Sequence, residues 1–140
     1  MNRWILILAA VTVSRCVPAP AGVVANTLYL ECRGESAAGQ AAVASVIWNR
    51  SRASGKSLDA VCLARKQFSC WNGSYYQPKP KTSQDRAILA KFEALERDML
   101  RGSFVQTVRA TQYYAGKRPY WAGDFRLERV IGRHTFMVKR

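Results

Sequence analysis

The pattern of apolar and polar positions predicts two neighbouring helices after residue 21. Apolar residues fall at helical spacing from Val23 to Arg33, and Gly34 predicts the end of this helix. The alanine-rich segment from Glu35 to Arg52 is apolar over most of its circumference, as is typical of a helix at the centre of a core. We therefore expect a helix pair joined by a break at Gly34.

The pattern changes along the rest of the chain. A short helical turn is expected from Leu58 to Ala64, and the two prolines between Gln77 and Lys81 predict a loop. A longer amphipathic helix begins near Ser83, its expected N-cap, with solvated charges on its outer face. From Phe104 to Arg140, Tyr, Val and Thr become common, which predicts short strands about a glycine turn. The expected fold class is α+β and mainly helical, with a small C-terminal β-hairpin.

The first 21 residues have the layout of a secretory signal. Arg3 precedes an apolar run of about ten residues, and a bilayer requires roughly 20. The small residues Ala19-Pro20-Ala21 follow, as they do before a cleavage site. We expect residues 1–21 to be a signal peptide or membrane-targeting segment and residues 22–140 to be a single domain. The expected location is the periplasm or cell wall, with transient membrane tethering if the segment is retained.

The net charge of +13 predicts an anionic polymer as partner. Nucleic acid, a membrane surface and the bacterial cell wall all meet that description. An apolar leader argues against an intracellular nucleic-acid role, and the sequence contains no recognised nucleic-acid-binding motif. We therefore expect no nucleic-acid partner, and we expect the protein to be a monomer.

A single histidine, His134, limits the available chemistry. Zinc hydrolases generally use two or three histidine ligands, so we expect no metal and no cofactor. The G-x-S-x-G elbow of a serine hydrolase is absent. Cys32 or Cys70 with His134 would make a papain-like couple, although neither has the local sequence of such a nucleophile. We expect His134 to be a hydrogen-bonded structural residue. A wall amidase or peptidase, or a noncatalytic basic wall-binding protein, remains the alternative function.

Two carboxylates flank the break between the first two helices. Glu31, at the end of an apolar helix, is predicted to be partly removed from water, which favours the protonated carboxyl that glycoside cleavage requires. Glu35 lies in the first turn of the next helix, where the helix dipole favours a carboxylate, and is predicted to play a supporting role. Pairing of Glu31 with Arg33 or Arg50, and helix capping by Glu35, are the structural alternatives.

Three ordered motifs resemble those of the SleB-like cell wall hydrolases, the spore-cortex lytic enzyme family. Residues 31–36 and 39–50 are similar to the signature E-A-R-G-E … G-Q-x-A-V-A-x-V-I-x-N-R. Residues 67–71 resemble the Q-F-S-C-W loop of that family, and residues 131–136 resemble its closing I-G-x-H-x-F. The similarity extends over about residues 26 to 137.

The resemblance implies a lysozyme-like domain that acts on the glycan strands of peptidoglycan, with Glu31 as general acid and base. The implied reaction is lytic transglycosylation between N-acetylmuramic acid and N-acetylglucosamine. The carboxyl group protonates the leaving oxygen and then, as a carboxylate, helps the muramic acid 6-hydroxyl close a 1,6-anhydro ring. Attack by water would instead make the enzyme a muramidase. A phage endolysin and a bacterial wall-remodelling enzyme both agree with this sequence.

The sequence departs from the family at two places. Cys32 occupies the usual alanine position, and Gln112 and Tyr114 stand where the family often has the histidines of T-H-Y-H. Polar and aromatic side chains around these motifs are expected to contact sugar rings by stacking and hydrogen bonding. These substrate-binding candidates are Gln67, Ser69, Trp71, Tyr113, Tyr114, Tyr120 and Trp121.

Four cysteines in an exported chain predict disulfides. Cys62 and Cys70 lie eight positions apart around a turn and are the favoured pair. Cys32 is then either a free buried thiol or the partner of Cys16 in a retained leader. A bond between Cys16 and Cys32 would hold the leader against Glu31 and keep the enzyme inactive.

Overall fold

The structure is a computed structural model that describes residues 22–65, 67–71 and 78–140. Helices and strands within these ranges confirm the mainly helical α+β fold. The elements are α1 (Val23–Cys32), α2 (Ala37–Ser54), α3 (Leu58–Leu63), α4 (Ser83–Arg101), β1 (Gln112–Ala115), β2 (Phe125–Ile131) and β3 (His134–Lys139), with short 3-10 turns at Ser69–Trp71 and Tyr120–Asp124. The predicted signal segment, Cys16 and part of the predicted loop at Gln77 lie outside the described residues.

Helix α1 is enclosed by the other helices. Seven of its ten residues are buried, and it packs against α2, α3 and α4. At its N-terminus the backbone N–H of Ala25 donates to Glu96 of α4 over 3.0 Å, which satisfies a donor that the helix itself cannot pair. A side-chain carbon at Gly22 would overlap this carboxylate, so the Glu96 side chain would have to move away from it. The end of α1 that carries Glu31 is therefore held by packing along the whole helix.

Helix α2 begins two residues later than predicted. Ser36 is its N-cap, and the Ser36 hydroxyl accepts a hydrogen bond from the N–H of Gly39 over 3.2 Å. Glu35 consequently lies before the helix rather than in its first turn. The helix ends at Gly55, whose φ of 69° suits glycine.

The prediction that Ser83 caps α4 is wrong, because Thr82 is the N-cap. The Thr82 hydroxyl accepts from the N–H of Asp85 over 3.0 Å, and the Asp85 carboxylate accepts from the N–H of Thr82 over 3.3 Å. These backbone hydrogen bonds lower the pKa of Asp85. One charged side chain of the outer face is also not simply solvated, since Lys91 donates to the Gln40 side chain over 2.9 Å.

The C-terminal strands form a three-stranded antiparallel sheet in the order β1-β3-β2. The predicted hairpin is β2 and β3, and Gly132, with φ 58°, lies in its turn. Strand β1 adds to the other edge of β3 and pairs Tyr113 with the fully buried Phe136. The sheet therefore presents Tyr113 toward the helices. Among the described residues, no helix has the length and apolar character needed to cross a membrane.

Candidate active site

A cleft of about 580 Å³ lies between the end of α1 and the sheet. Its lining residues are Glu31, Arg50, Gln67, Ser69, Gln112, Tyr113, Tyr120, Trp121 and Phe125. All nine Asp and Glu residues of the chain are in the described ranges, and Glu31 is the only one that lines this cleft. Any carboxylate chemistry in the cleft therefore depends on Glu31.

Glu31 is half-buried and receives three neutral donors. The Tyr113 hydroxyl donates to Oε2, while the Ser69 hydroxyl and the Cys70 backbone N–H donate to Oε1, each over 3.5 Å. These distances lie at the long limit for hydrogen bonds. Neither Arg33 nor Arg50 forms an ion pair with Glu31, so the structural alternative considered for this residue is not what the structure contains.

The donors around Glu31 keep their protons. Burial and the charge of Glu31 raise the pKa of Tyr113, and the same two causes raise the pKa of the Cys70 thiol to about 12. The Tyr113 phenol therefore remains a donor to the carboxylate at neutral pH.

Glu35 faces away from the cleft, toward the turn of the hairpin. Its Oε1 lies 2.6 Å from Nε of Arg133, and its Oε2 lies 3.9 Å from Nδ1 of His134. A side-chain carbon at Gly132 would lie 3.1 Å from the same Oε2. Glu35 thus joins the start of α2 to the turn between β2 and β3.

His134 connects this ion pair to the site. Its ring packs edge-on against Tyr113 with the centroids 5.1 Å apart. Burial lowers the pKa of His134, although the charge of Glu35 acts in the opposite direction. The expectation of a hydrogen-bonded histidine is not met at Nδ1, which is buried and has no hydrogen-bond partner among the described residues. Glu35 and His134 therefore support Tyr113, which in turn contacts Glu31.

Five of the seven predicted substrate-binding residues line the cleft. These are Gln67, Ser69, Tyr113, Tyr120 and Trp121. Tyr120 is 98% exposed, so its ring is available to a ligand at the rim. Trp71 instead packs against the core and donates its indole N–H to Thr27 over 2.9 Å. Tyr114 packs edge-on against Trp121, with ring centroids 6.1 Å apart, and does not line the cleft.

Three residues of the cleft were not among the predicted contacts. Arg50 and Gln112 belong to segments aligned with the family motifs, so their position in those segments was an available signal. Phe125 follows the turn that carries Tyr120 and Trp121, and only its aromatic character pointed to it.

The predicted disulfide between Cys62 and Cys70 is not formed. The thiols of Cys32, Cys62 and Cys70 are all free. Cys62 is buried and forms a hydrogen bond with Thr27, whereas the Cys70 thiol lies near Glu31, so each has its own partner. Burial raises the pKa of all three thiols to about 12, which disfavours the thiolate of a cysteine peptidase. No group of three or more metal-binding side chains occurs in the ranges described.

Comparison with known proteins adds family and fold to this geometry. No curated protein matches the chain. Among solved structures, the catalytic domain of the Bacillus cereus SleB protein is similar, with 24% sequence identity, a TM-score of 0.59, and coverage of 83% of this chain and 87% of that one. The SleB domain has a lysozyme-like fold, so the expected fold is confirmed. The family model described as Cell Wall Hydrolase matches residues 34–137, beginning after Glu31, and this chain therefore belongs to the cell wall hydrolase family.

Proposed function

We propose that the protein is a peptidoglycan glycosidase that cleaves the bond between N-acetylmuramic acid and N-acetylglucosamine, with Glu31 as general acid and base. One observation carries the proposal: Glu31 alone among the nine acidic residues lines a cleft walled by aromatic and polar side chains. Membership of the cell wall hydrolase family supports peptidoglycan as the polymer.

The surroundings of Glu31 suit a group that gives and then takes a proton. Its contacts are a phenol, a hydroxyl and a backbone N–H, so protonation breaks no ion pair. The protonated carboxyl donates to the glycosidic oxygen as the bond breaks, and the resulting carboxylate accepts a proton from the attacking hydroxyl. Tyr113 donates to that carboxylate and stabilises its charge after the first step.

The absence of a second carboxylate from the cleft favours lytic transglycosylation over hydrolysis. Glycosidases that retain or invert configuration ordinarily place two carboxyl groups about 5–9.5 Å apart across the bond. Here the nearest acidic residue in the sequence, Glu35, is paired with Arg133 outside the cleft. Attack by the muramic acid 6-hydroxyl needs no carboxylate nucleophile, which supports the 1,6-anhydro product.

The test is product analysis with a matched pair of proteins. Purified peptidoglycan is digested with the wild type and with Glu31→Gln, and the soluble muropeptides are identified by mass spectrometry. Anhydro-muropeptides that disappear in the variant are the expected result, and reducing ends would assign a muramidase. Undiminished cleavage by Glu31→Gln, or release of peptides without glycan cleavage, would contradict the proposal.

We also propose that residues 1–21 export the enzyme to the periplasm or cell wall, in either wall remodelling or phage lysis. The apolar leader and the charge of +13 support this location, because the wall is an anionic polymer. Mass spectrometry of the exported protein is expected to give an N-terminus near Gly22. A retained Cys16 linked to Cys32 would instead support the inactive leader-bound form.

A further inference from the structure

A second cavity adjoins the cleft, and neither Tyr120 nor Trp121 lines it. It measures about 430 Å³ and shares three lining residues, Arg50, Gln67 and Gln112, with the cleft. These three side chains therefore border both cavities, which places the second cavity next to the cleft that contains Glu31.

Arg50 is fixed at the junction of the two cavities. Its Nε donates to the Thr111 carbonyl over 2.6 Å, its Nη2 donates to the Gln112 side chain over 2.8 Å, and its guanidinium lies over the Phe68 ring at 5.2 Å from the centroid. Its other terminal nitrogen, Nη1, is buried and has no hydrogen-bond partner among the described residues. The guanidinium is thus oriented before any ligand arrives.

The second cavity has positive charges without matching negative ones. Lys56 and Lys139 line it together with Arg50, and none of the nine acidic residues does. Arg50 forms no ion pair with any of these carboxylates. Burial lowers the pKa of Arg50, but an arginine remains charged at neutral pH. A partly buried cation without a counterion is costly, and an anionic ligand would offset that cost.

We propose that Arg50, with Lys56 and Lys139, binds a carboxylate carried by a muramyl residue of the glycan strand, next to the bond that Glu31 cleaves. This inference rests on the proposed glycosidase function and names the part of the substrate that the second cavity recognises. The carboxylate belongs either to the lactyl group of a strand without peptides or to the stem peptide of an intact strand.

The experiment alters the ligand and the protein separately. Soluble glycan oligosaccharides without peptides, with their lactyl carboxylates either free or amidated, are titrated by calorimetry into Glu31→Gln, which prevents turnover. We expect amidation to weaken binding about tenfold, the value of one hydrogen bond to a charged group. In Glu31→Gln/Arg50→Gln the two ligands should bind equally, because the residue that distinguishes them is gone.

Arg52 provides the matched control. Substitution of Arg52 by Gln removes the same charge from the same helix as substitution of Arg50. The Arg52 side chain, however, lies over the Trp48 ring and lines a different cavity. Glu31→Gln/Arg52→Gln should keep the tenfold preference, and Arg50→Lys should keep part of it. Melting temperatures identify any variant that fails to fold. If the Arg50 variants do not fold, the comparison of free and amidated ligands in Glu31→Gln still tests the site.

Strands that carry stem peptides identify the source of the carboxylate, since their lactyl group is already an amide. Binding of these strands that depends on Arg50 assigns the peptide carboxylate, and dependence confined to peptide-free strands assigns the lactyl group. If amidation leaves the binding of peptide-free strands unchanged and peptide-bearing strands bind independently of Arg50, the inference is wrong. It is also wrong if the preference for the free carboxylate persists without Arg50. Failure of the proposed function would appear separately, in the cleavage products of the wild type and Glu31→Gln.

Discussion

The end of α1 and the segment just before α2 each carry a glutamate, four residues apart, and the two side chains have opposite surroundings. Glu31 lines an open cleft and receives only neutral donors at long distance. Glu35 is largely buried, with 9% of its side chain exposed, and is paired with Arg133. Because residue type and sequence neighbourhood are shared, the contrast teaches that the fold alone places one carboxylate in an open cleft and the other in a buried ion pair.

The largest expected effect is the loss of glycan cleavage when Glu31 is replaced. Glu31→Gln should reduce the rate of glycan cleavage by about 10²–10⁴-fold, the usual contribution of a general acid. Its melting temperature should not fall, because no ion pair is lost. Rates and thermal melts measured on the same preparation check both statements. A Glu31→Gln protein that is active but unstable would reverse the roles of the two residues.

Glu35→Gln tests whether the ion pair between Glu35 and Arg133 stabilises the fold. We expect its free energy of unfolding to fall by about 1–2 kcal/mol, because a hydrogen-bonded charge pair is lost while Arg133 remains partly solvated. Cleavage per folded molecule should change only a few-fold. The double variant Glu35→Gln/Arg133→Gln should be no less stable than Glu35→Gln in denaturant unfolding. Additive losses in that cycle would show that the two residues act independently.

Tyr113 connects the two regions, since it donates to Glu31 and contacts His134. Tyr113→Phe should lower the cleavage rate by up to about tenfold, because one long hydrogen bond to a charged group is removed while the ring packing is kept. Steady-state kinetics should place the loss in kcat rather than KM. Tyr114→Phe is the matched control outside the cleft, and an equal loss there would argue against the assignment.

The smallest expected effect is a pH dependence of stability at His134. Burial lowers the pKa of His134 in the folded protein, whereas a histidine in the unfolded chain has a pKa of about 6.5. Below that pH the unfolded chain binds a proton that the folded protein does not. The free energy of unfolding should therefore decline as the pH falls through about 6.5 toward the lower, folded pKa.

Thermal melts between pH 7.5 and 5.5 measure this decline. Burial raises the pKa of Glu96, so this carboxyl group contributes its own pH dependence. The wild type is therefore compared with His134→Gln, which retains Glu96. The variant should lose less stability over this range. Equal slopes for the two proteins would mean that His134 does not titrate differently on folding.

Local signals in the sequence predicted much of the fold. Gly34 follows the end of α1 closely, Gly132 lies in the hairpin turn, and the amphipathic pattern predicted α4. The N-cap of α4 was misassigned by one residue, because Thr82 and Ser83 are both good capping residues and only the position of Asp85 distinguishes them.

Long-range contacts explain what the sequence could not predict about the site. Trp71 and Tyr114 lie in motif segments, whereas Trp121, which does line the cleft, lies outside them. The direction of each ring depends on partners elsewhere in the fold. Trp71 donates to Thr27, 44 residues earlier. Arg50 enters the cleft because its guanidinium bonds the backbone of Thr111, 61 residues later. The local pattern of apolar and polar residues does not predict contacts between residues so far apart in the sequence.

The sequence separation between the two walls of the cleft has a consequence for when the cleft can form. Glu31 belongs to the first described helix, whereas Tyr113 and Trp121 belong to the last third of the chain. Contacts of such sequence separation form only after the intervening loop closes. A polypeptide still emerging from the ribosome thus contains Glu31 early but forms the cleft around it only after the segment through Trp121 has been synthesised.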